Sequence, residues 1–165
     1  MRSAPTTPIL GVDLHTDGTK GELICRPGPA FPLVTIPETI VSQPPREASP
    51  FVQMQGREVF KLAVNAMVDS IRNVLQSSEV ELNDVALFVP HQSNRRIVEA
   101  VYRQLGLEDL SRVVLNIDRV ANTSSAWIPI ALDEAARSGR LKRGDLVILS
   151  AVGAGFTWGS ILIRW

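Results

Sequence analysis

The stretch Val85-Ala-Leu-Phe-Val-Pro-His-Gln-Ser-Asn94 decides the fold of this chain. It begins with a short, unbroken apolar run, passes through a proline into polar residues, and leads into helical spacing from Arg96 onward. An apolar run of this length, bounded by polar residues, is typical of a strand buried on both faces of a sheet. A helix directly after such a strand predicts the strand–loop–helix unit of a parallel sheet.

A second segment of the chain repeats this arrangement. Residues 113–115 form another short apolar run, residues 116–121 indicate a loop, and residues 122–137 have helical spacing. In open α/β sheets, ligands bind in the crevice beyond the carboxyl ends of the strands. His91 and Asn122 follow the two predicted strands at that position. They are therefore the first candidates for a functional site.

The composition is that of one globular domain. With 165 residues, 45% of them hydrophobic, the chain can bury a substantial core. The 17 basic residues balance the 17 acidic ones, so the chain lacks the positive excess typical of nucleic-acid binding. No apolar stretch approaches the roughly 20 residues of a membrane span, and the amino terminus lacks the apolar run of a signal peptide. Neither a nucleic acid nor a membrane is expected as a partner.

Cysteine usage indicates a reducing compartment. Cys25 is the only cysteine, which excludes an intrachain disulfide and a CxxC metal site. It lies in a strand-like run and not at a helix N-terminus, so we expect a core or edge thiol. The predicted location of the protein is the cytoplasm.

The amino-terminal third is predicted to hold a hairpin and then an irregular excursion. Residues 9–14 and 21–25 are two apolar runs separated by Asp17-Gly18, a strong hairpin-turn signal. Residues 26–50 contain seven of the 11 prolines and have almost no periodicity. Because proline suits neither a central strand nor a helix interior, this segment is predicted to be irregular. Irregular stretches of this length are uncommon in compact domains and are often functional.

The rest of the chain alternates helices and strands. Helices are predicted at residues 56–75, 94–105 and 122–137, and strands at 85–89, 113–115, 145–149 and 157–165. The full order, β-β-α-β-α-β-α-β-β, predicts one α/β domain over residues 1–165. Its mixed sheet should be parallel in the middle and antiparallel at the edges.

Each candidate site residue also has a purely structural interpretation. An imidazole at a strand end, such as His91, can transfer a proton or hold a carbonyl oxygen near neutral pH. The alternative is a loop histidine whose ring bonds local backbone. The amide of Asn122 can act as a fixed donor to a developing oxyanion. By itself, however, the sequence favours a plain helix N-cap at Asn122.

Other polar and glycine-rich segments are less specific. Residues 153–159 are rich in glycine between two predicted strands, which indicates a tight turn or a close backbone approach to a ligand. Arg95 and Arg96 flank the candidate site. A loose basic cluster comprises Arg137, Arg140, Lys142 and Arg143. Such charges form a solvated face or steer an acidic carrier or a phosphate.

Three motifs, in the same order, resemble the carboxyl-terminal half of β-ketoacyl-acyl-carrier-protein synthase III, a condensing enzyme of the thiolase fold. They are Val89-Pro-His-Gln-Ser-Asn94, Asn122-Thr-Ser-Ser-Ala126 and Gly155-Phe-Thr-Trp-Gly159. The similarity runs from about Ile9 to Trp165. It implies an α/β fold, one half of a thiolase-like fold, with a mixed five-stranded sheet flanked by helices.

The resemblance also implies a reaction in the initiation of fatty acid biosynthesis. In this family an acyl group from acyl-CoA is condensed with malonyl-acyl carrier protein, with decarboxylation. The family's catalytic histidine and asparagine map to His91 and Asn122, which would stabilise the enolate. Matching positions imply substrate contacts at Gly56, Phe60, Asn94 and Ala154, and carrier-protein docking at Arg96. No permanently bound cofactor or metal is implied, since CoA and the carrier's phosphopantetheine act as substrate carriers.

The family's nucleophilic cysteine lies on an amino-terminal half that this chain does not contain, and Cys25 does not match its motif. The resemblance therefore implies a partner half of the same enzyme, beside acyl carrier protein and acyl-CoA, and a homodimer in the full-length enzyme. The chain alone is predicted to be inactive. The face that normally packs on the first half should be exposed and apolar.

Three departures from the family pattern leave the acyl substrate open. Ala121 replaces a usual glycine, Gly153-Ala-Gly155 replaces three glycines, and Trp127 stands where small residues are common. Two alternatives therefore stay beside the half-enzyme: a non-catalytic module that pairs with a complete synthase, and a secondary-metabolite acyltransferase of the same fold.

Overall fold

Four strands form the central sheet of the protein. In chain order they are β1 (Ile9–Thr16), β4 (Leu87–Pro90), β5 (Leu146–Gly153) and β6 (Thr157–Arg164). They lie in the order β1-β6-β5-β4, with β4 parallel to β5 and the other two pairs antiparallel. The structure, a computed structural model, describes residues 8–26 and 51–165. The α/β fold with a mixed sheet is confirmed, whereas the excursion predicted after residue 26 lies outside the described residues.

The predicted fifth strand at residues 113–115 is reduced to a single bridge. Val113 pairs in parallel with Phe88 of β4, and no other residue of the run forms a bridge within the described part of the chain. One nitrogen of the Arg140 guanidinium donates to the carbonyl of Val113 at 3.2 Å and to that of Ser111 at 2.7 Å. These side-chain bonds occupy acceptors at the outer edge, whereas on the side of β4 the carbonyl of Val114 accepts from the Gln92 side-chain amide at 2.9 Å. Pro90 has no N–H to continue the pairing, so the run is too short to count as a strand.

Helices cover both faces of the sheet. They are α1 (Gly56–Ser77), α2 (Arg95–Gln104), the single turn α3 (Ile117–Val120) and α4 (Trp127–Arg137). Side chains alternate along each strand, so neighbouring residues of β5 enter different cores. Ile148 packs in the core beneath α1 and α2, and Val147 in the core beneath α4. Both cores are needed because the central strands are buried on both sides. No helix in the described ranges is long and apolar enough to cross a membrane.

The predicted amino-terminal hairpin is wrong. β1 pairs with β6 and not with the segment that follows it. Gly18–Leu23 forms a 3-10 helix, and Asp17, which caps it, accepts a bond from the backbone N–H of Thr19 at 2.9 Å. The next short strand, β2 (Ile24–Cys25), pairs with β3 (Gln53–Met54). The aspartate side chain stabilises a local turn, and β6 offers β1 a longer edge than the two residues of β2 could.

One face of the sheet is only half covered. Because α4 packs over β4 and the adjoining side of β5, an apolar groove of about 430 Å³ stays open over β5, β6 and β1. Its apolar lining includes Leu14, Ile128, Leu149, Ala151, Gly159 and Ile161. Leu14 is 66% exposed. The described part of the chain therefore exposes an apolar groove, and its identity with the face that the resemblance implies stays a prediction.

Gly159 permits the close contact between β1 and β6. A Cβ at this position would lie 2.6 Å from the carbonyl oxygen of Asp13 and would also overlap the Leu14 side chain. We expect Gly159→Ala to push β1 outward and to lower the free energy of unfolding by about 1–3 kcal/mol, measured by urea denaturation.

Gly153→Ala is the matched control. A Cβ there would meet no atom within 4 Å, and its backbone is not left-handed, so the change should stay within about 0.5 kcal/mol. Equal losses in the two variants would contradict the close-contact explanation.

Candidate active site

His91 stands where β4 ends. Its backbone N–H donates to the carbonyl oxygen of Ser150 in β5 at 2.7 Å. This bond extends the parallel pairing one residue beyond Pro90 and fixes the backbone from which the imidazole projects. Within the described part of the chain, neither ring nitrogen has a hydrogen-bond partner. The alternative of a ring bonded to local backbone is therefore wrong.

Burial determines the charge of His91. The side chain is half-buried, and this desolvation lowers the pKa of His91 below the ordinary value of 6.5. The imidazole is therefore neutral at pH 7. A neutral ring offers one N–H that can donate a hydrogen bond and one lone pair that can accept a proton.

Asn122 lies in the loop before α4 and does not cap that helix. The capping position of α4 is Ala126, with no side-chain bond. The side-chain oxygen of Asn122 instead accepts a bond from the backbone N–H of Ser124 at 2.9 Å. This is an Asx-type turn. It uses the acceptor end of the amide and leaves the NH₂ group without a partner among the described residues.

His91 and Asn122 line the same cavity, which has a volume of about 590 Å³. This is within the usual range for small-molecule sites, roughly 300–1,000 Å³. All six predicted catalytic and substrate-contacting residues line it: Gly56, Phe60, His91, Asn94, Asn122 and Ala154. Their proximity is an observation, and their roles remain predictions.

Arg96 is not among the residues that line this cavity. It lies exposed in the first turn of α2, and its backbone N–H donates to the side-chain oxygen of Asn94 at 2.9 Å. Asn94 therefore caps α2 with its oxygen and keeps its NH₂ group available beside the cavity. One helix N-terminus thus places an amide at the cavity and a cation outside it.

The cavity has an apolar interior and adjoins the apolar groove. Side chains from α1, α2, β5 and the turn after β5 form much of its wall, including Val59, Phe60, Ala63, Ile97, Val152 and Phe156. Four residues line both spaces: His91, Ser124, Val152 and Gly153. The imidazole therefore stands at the junction of the cavity and the groove. The sequence analysis did not single out Ser124, although its place beside Asn122 was a usable signal.

The three departures from the family pattern have different structural consequences. Ala121 has a φ of 54°, in the left-handed region that favours glycine, so it is strained. Ala154 has no positive φ, and its side chain lines the cavity without backbone strain. Trp127 is fully buried in the core beneath α4 and lines neither space. Only Ala154 therefore changes the shape of the cavity directly.

The other predicted features lie outside the cavity. Cys25 is a half-buried thiol in β2. In the basic cluster, Arg137 pairs with Asp133 at 2.9 Å, and Arg140 bonds backbone carbonyls. The described ranges contain no group of three or more histidine, cysteine or acidic side chains that could hold a metal ion. The steering role suggested for the basic cluster remains a prediction.

Comparison with known proteins shows the family to which this chain is similar. The family described as 3-oxoacyl-[acyl-carrier-protein (ACP)] synthase III C terminal matches residues 75–165. The β-ketoacyl-[acyl-carrier-protein] synthase III of Desulfitobacterium hafniense is 42% identical over 157 residues, which cover 95% of this chain and 46% of that protein. The corresponding protein of Campylobacter fetus is 43% identical over 156 residues, 93% of this chain and 46% of that protein.

Solved structures agree with this assignment. The crystal structure of the Thermus thermophilus synthase III superposes with a TM-score of 0.84 at 35% identity and covers 98% of this chain and 47% of that one. The chain thus spans about half the length of the relatives that it matches. It carries one half of a thiolase-like fold. Because the family match covers more than half of the chain, this protein belongs to the family of 3-oxoacyl-[acyl-carrier-protein] synthase III carboxyl-terminal domains.

Proposed function

We propose that this chain is the carboxyl-terminal half of an acyltransferase of the β-ketoacyl-acyl-carrier-protein synthase III type, acting at the start of fatty acid biosynthesis. The reaction joins an acyl group derived from acyl-CoA to malonyl-acyl carrier protein, with loss of CO₂. One observation carries this proposal: His91 and Asn122 line one cavity, and each has a hydrogen-bond donor without a partner among the described residues.

The chemistry needs two neutral donors at one oxygen atom. When malonyl thioester loses CO₂, the C–C bond breaks and its electron pair enters the thioester as an enolate. Donors from His91 and Asn122, aimed at the thioester oxygen, would stabilise the charge that develops there. The enolate carbon then attacks the acyl thioester on the cysteine of the other half. A new C–C bond forms, and the cysteine leaves as a thiolate.

The cavity is suited to the phosphopantetheine arm of a carrier. Its apolar wall, including Phe60, would enclose the alkyl part of the arm, and the free amide of Asn94 would bond one of the arm's amide groups. Ala154 would limit the space beside the thioester. The exposed guanidinium of Arg96 would meet an acidic carrier protein. CoA and carrier phosphopantetheine are then substrates and not bound cofactors, and the setting is the cytoplasm.

The apolar groove is the proposed docking surface for the amino-terminal half, which supplies the nucleophile. The groove exposes aliphatic side chains such as Leu14, and His91 stands where it meets the cavity. A partner docked there would bring an acyl-cysteine next to the enolate. The relatives are about twice as long as this chain, which is consistent with such a half. We expect the assembled enzyme to be a homodimer.

Two alternatives lead to different outcomes. A non-catalytic module would pair with a complete synthase through the same groove without using His91. A secondary-metabolite acyltransferase would use the same residues on another acyl group, and the alanine at position 154 is the feature that favours it.

Reconstitution tests the catalytic assignment. With an added amino-terminal synthase half, the chain should release CO₂ from malonyl-acyl carrier protein, and His91→Ala and Asn122→Ala should each lower the rate about 100- to 1,000-fold, because each removes one donor. His15→Ala and Asn65→Ala are the matched controls, since both residues are exposed and line neither space.

Unchanged turnover in His91→Ala or Asn122→Ala would overturn the assigned roles. Binding of the two halves without turnover in any combination would identify the non-catalytic module.

The pH dependence of decarboxylation tests the charge of His91. Protonation would create a cation that pairs with the malonyl carboxylate and stabilises the ground state, which decarboxylation must leave, so activity should fall as the pH drops through the pKa of His91, with a midpoint below 6.5. Because the pKa is lower in the folded state than in the unfolded state, this group also makes folding less stable as the pH falls below 6.5.

An NMR titration of the ring in His15→Ala, which leaves His91 as the only histidine of the chain, checks the same midpoint independently. A midpoint above 6.5 in either measurement would contradict the burial argument.

Leu14→Asp tests the docking surface. It would bury an unpaired carboxylate in the proposed interface, so the affinity for the amino-terminal half should fall about 100-fold or more in a calorimetric titration. Phe51→Asp is the matched control, because Phe51 is similarly exposed, at 74%, but does not line the groove. Equal effects of the two substitutions would exclude the groove as the interface.

A further inference from the structure

We propose that Ser124 is a positioning residue for Asn122 and that it acts through its left-handed backbone and not through its hydroxyl. This inference rests on the proposed function, because it explains how the Asn122 amide is held ready for the thioester oxygen.

The first observation is the bond between the two residues. The backbone N–H of Ser124 donates to the side-chain oxygen of Asn122 at 2.9 Å. An asparagine amide has one acceptor end and one donor end. Holding the acceptor end decides which end is free, so the NH₂ group is the one available in the cavity that Asn122 lines.

The second observation is backbone strain on both sides of Asn122. Ser124 has a φ of 56° and Ala121 a φ of 54°. Residues other than glycine rarely adopt such values, and they cluster at functional sites when the surrounding structure holds them there. Among the described residues only Glu79, with a φ of 53°, is a further case. The turn that presents Asn122 thus requires two disfavoured conformations three residues apart.

The third observation defines the rival explanation. Ser124 lines both the cavity and the apolar groove, and its hydroxyl has no hydrogen-bond partner within the described ranges. That hydroxyl could contact the substrate directly. Substitutions that keep or lose the left-handed backbone, independently of the hydroxyl, separate the two roles.

The test is a series at position 124 in the complex with an added amino-terminal half. Ser124→Gly removes the hydroxyl and adopts the left-handed backbone freely, whereas Ser124→Ala removes the hydroxyl and keeps a Cβ that strains this backbone about as much as serine does, so kcat should stay within about twofold in both. Ser124→Val disfavours the left-handed region strongly. It should lower kcat about 10-fold or more, with KM for malonyl-acyl carrier protein unchanged, because a donor is misplaced while the carrier contacts remain.

Glu79 supplies the matched control. It has nearly the same φ at the end of α1 and lines neither space. Glu79→Val should lower Tm as Ser124→Val does and leave kcat unchanged. A loss of kcat in both variants would show that general destabilisation, and not positioning, explains the effect.

Side-chain amide NMR of Asn122 gives a readout that does not need turnover. The ¹⁵N-labelled chain should keep one Asn122 NH₂ pair in Ser124→Gly and Ser124→Ala and show a shifted or broadened pair in Ser124→Val. If the complex never turns over, the proposed function fails, yet this measurement still decides the positioning role.

Two results would overturn the inference. One is a 10-fold loss of kcat in both Ser124→Gly and Ser124→Ala with unchanged Asn122 signals, which would assign the role to the hydroxyl. The other is a Ser124→Val protein with unchanged kcat and unchanged Asn122 signals.

Discussion

The parallel pairing of β4 with β5 is the constraint on which the candidate site depends. The ladder does not stop at Pro90, because the backbone N–H of His91 continues it by bonding the carbonyl of Ser150 at 2.7 Å. A backbone bond of this kind fixes the start of the imidazole side chain without using either ring nitrogen. The backbone of His91 is therefore held as rigidly as the sheet, and both ring nitrogens stay available for hydrogen bonds.

The same sheet explains why the molecule presents an apolar groove. Strands with apolar side chains on both faces need cover on both faces. In the described part of the chain, α1 and α2 cover one side of the sheet, whereas α4 covers only part of the other side. The open part over β5, β6 and β1 adjoins His91. Incomplete burial and the candidate site thus lie next to each other, which is the physical basis for expecting a second half at this face.

The site combines neutral groups with a strained loop. Burial lowers the pKa of His91 and keeps its ring uncharged at neutral pH. Asn122 cannot ionise, and its side-chain oxygen accepts a hydrogen bond from the backbone N–H of Ser124, whose φ is positive. Neutral donors avoid the desolvation penalty of a buried charge and still stabilise negative charge when it develops. The strain at Ala121 and Ser124 fits this picture, because strain persists where the surrounding structure requires one particular geometry.

Much of this protein was readable from its sequence because the relevant signals are local. Helical spacing predicted α1, and the apolar run predicted β4. The position of His91 directly after that run indicated it as a candidate site residue. The motif resemblance then indicated the family, and the comparisons confirmed it. The pairing of β1 with β6 was not readable, since strands compete for partners that are far apart in the sequence, and the Asp17-Gly18 signal described only a local turn. The free end of the Asn122 amide was not readable either, because it depends on a hydrogen bond from the backbone N–H of Ser124 that only the structure shows. Periodicity determined most of the helices and the central strands, and the motif resemblance indicated the candidate site residues. Strand order, the junction of cavity and groove, and the orientation of the site's donors required the tertiary structure, because they depend on long-range pairing and on individual backbone dihedrals.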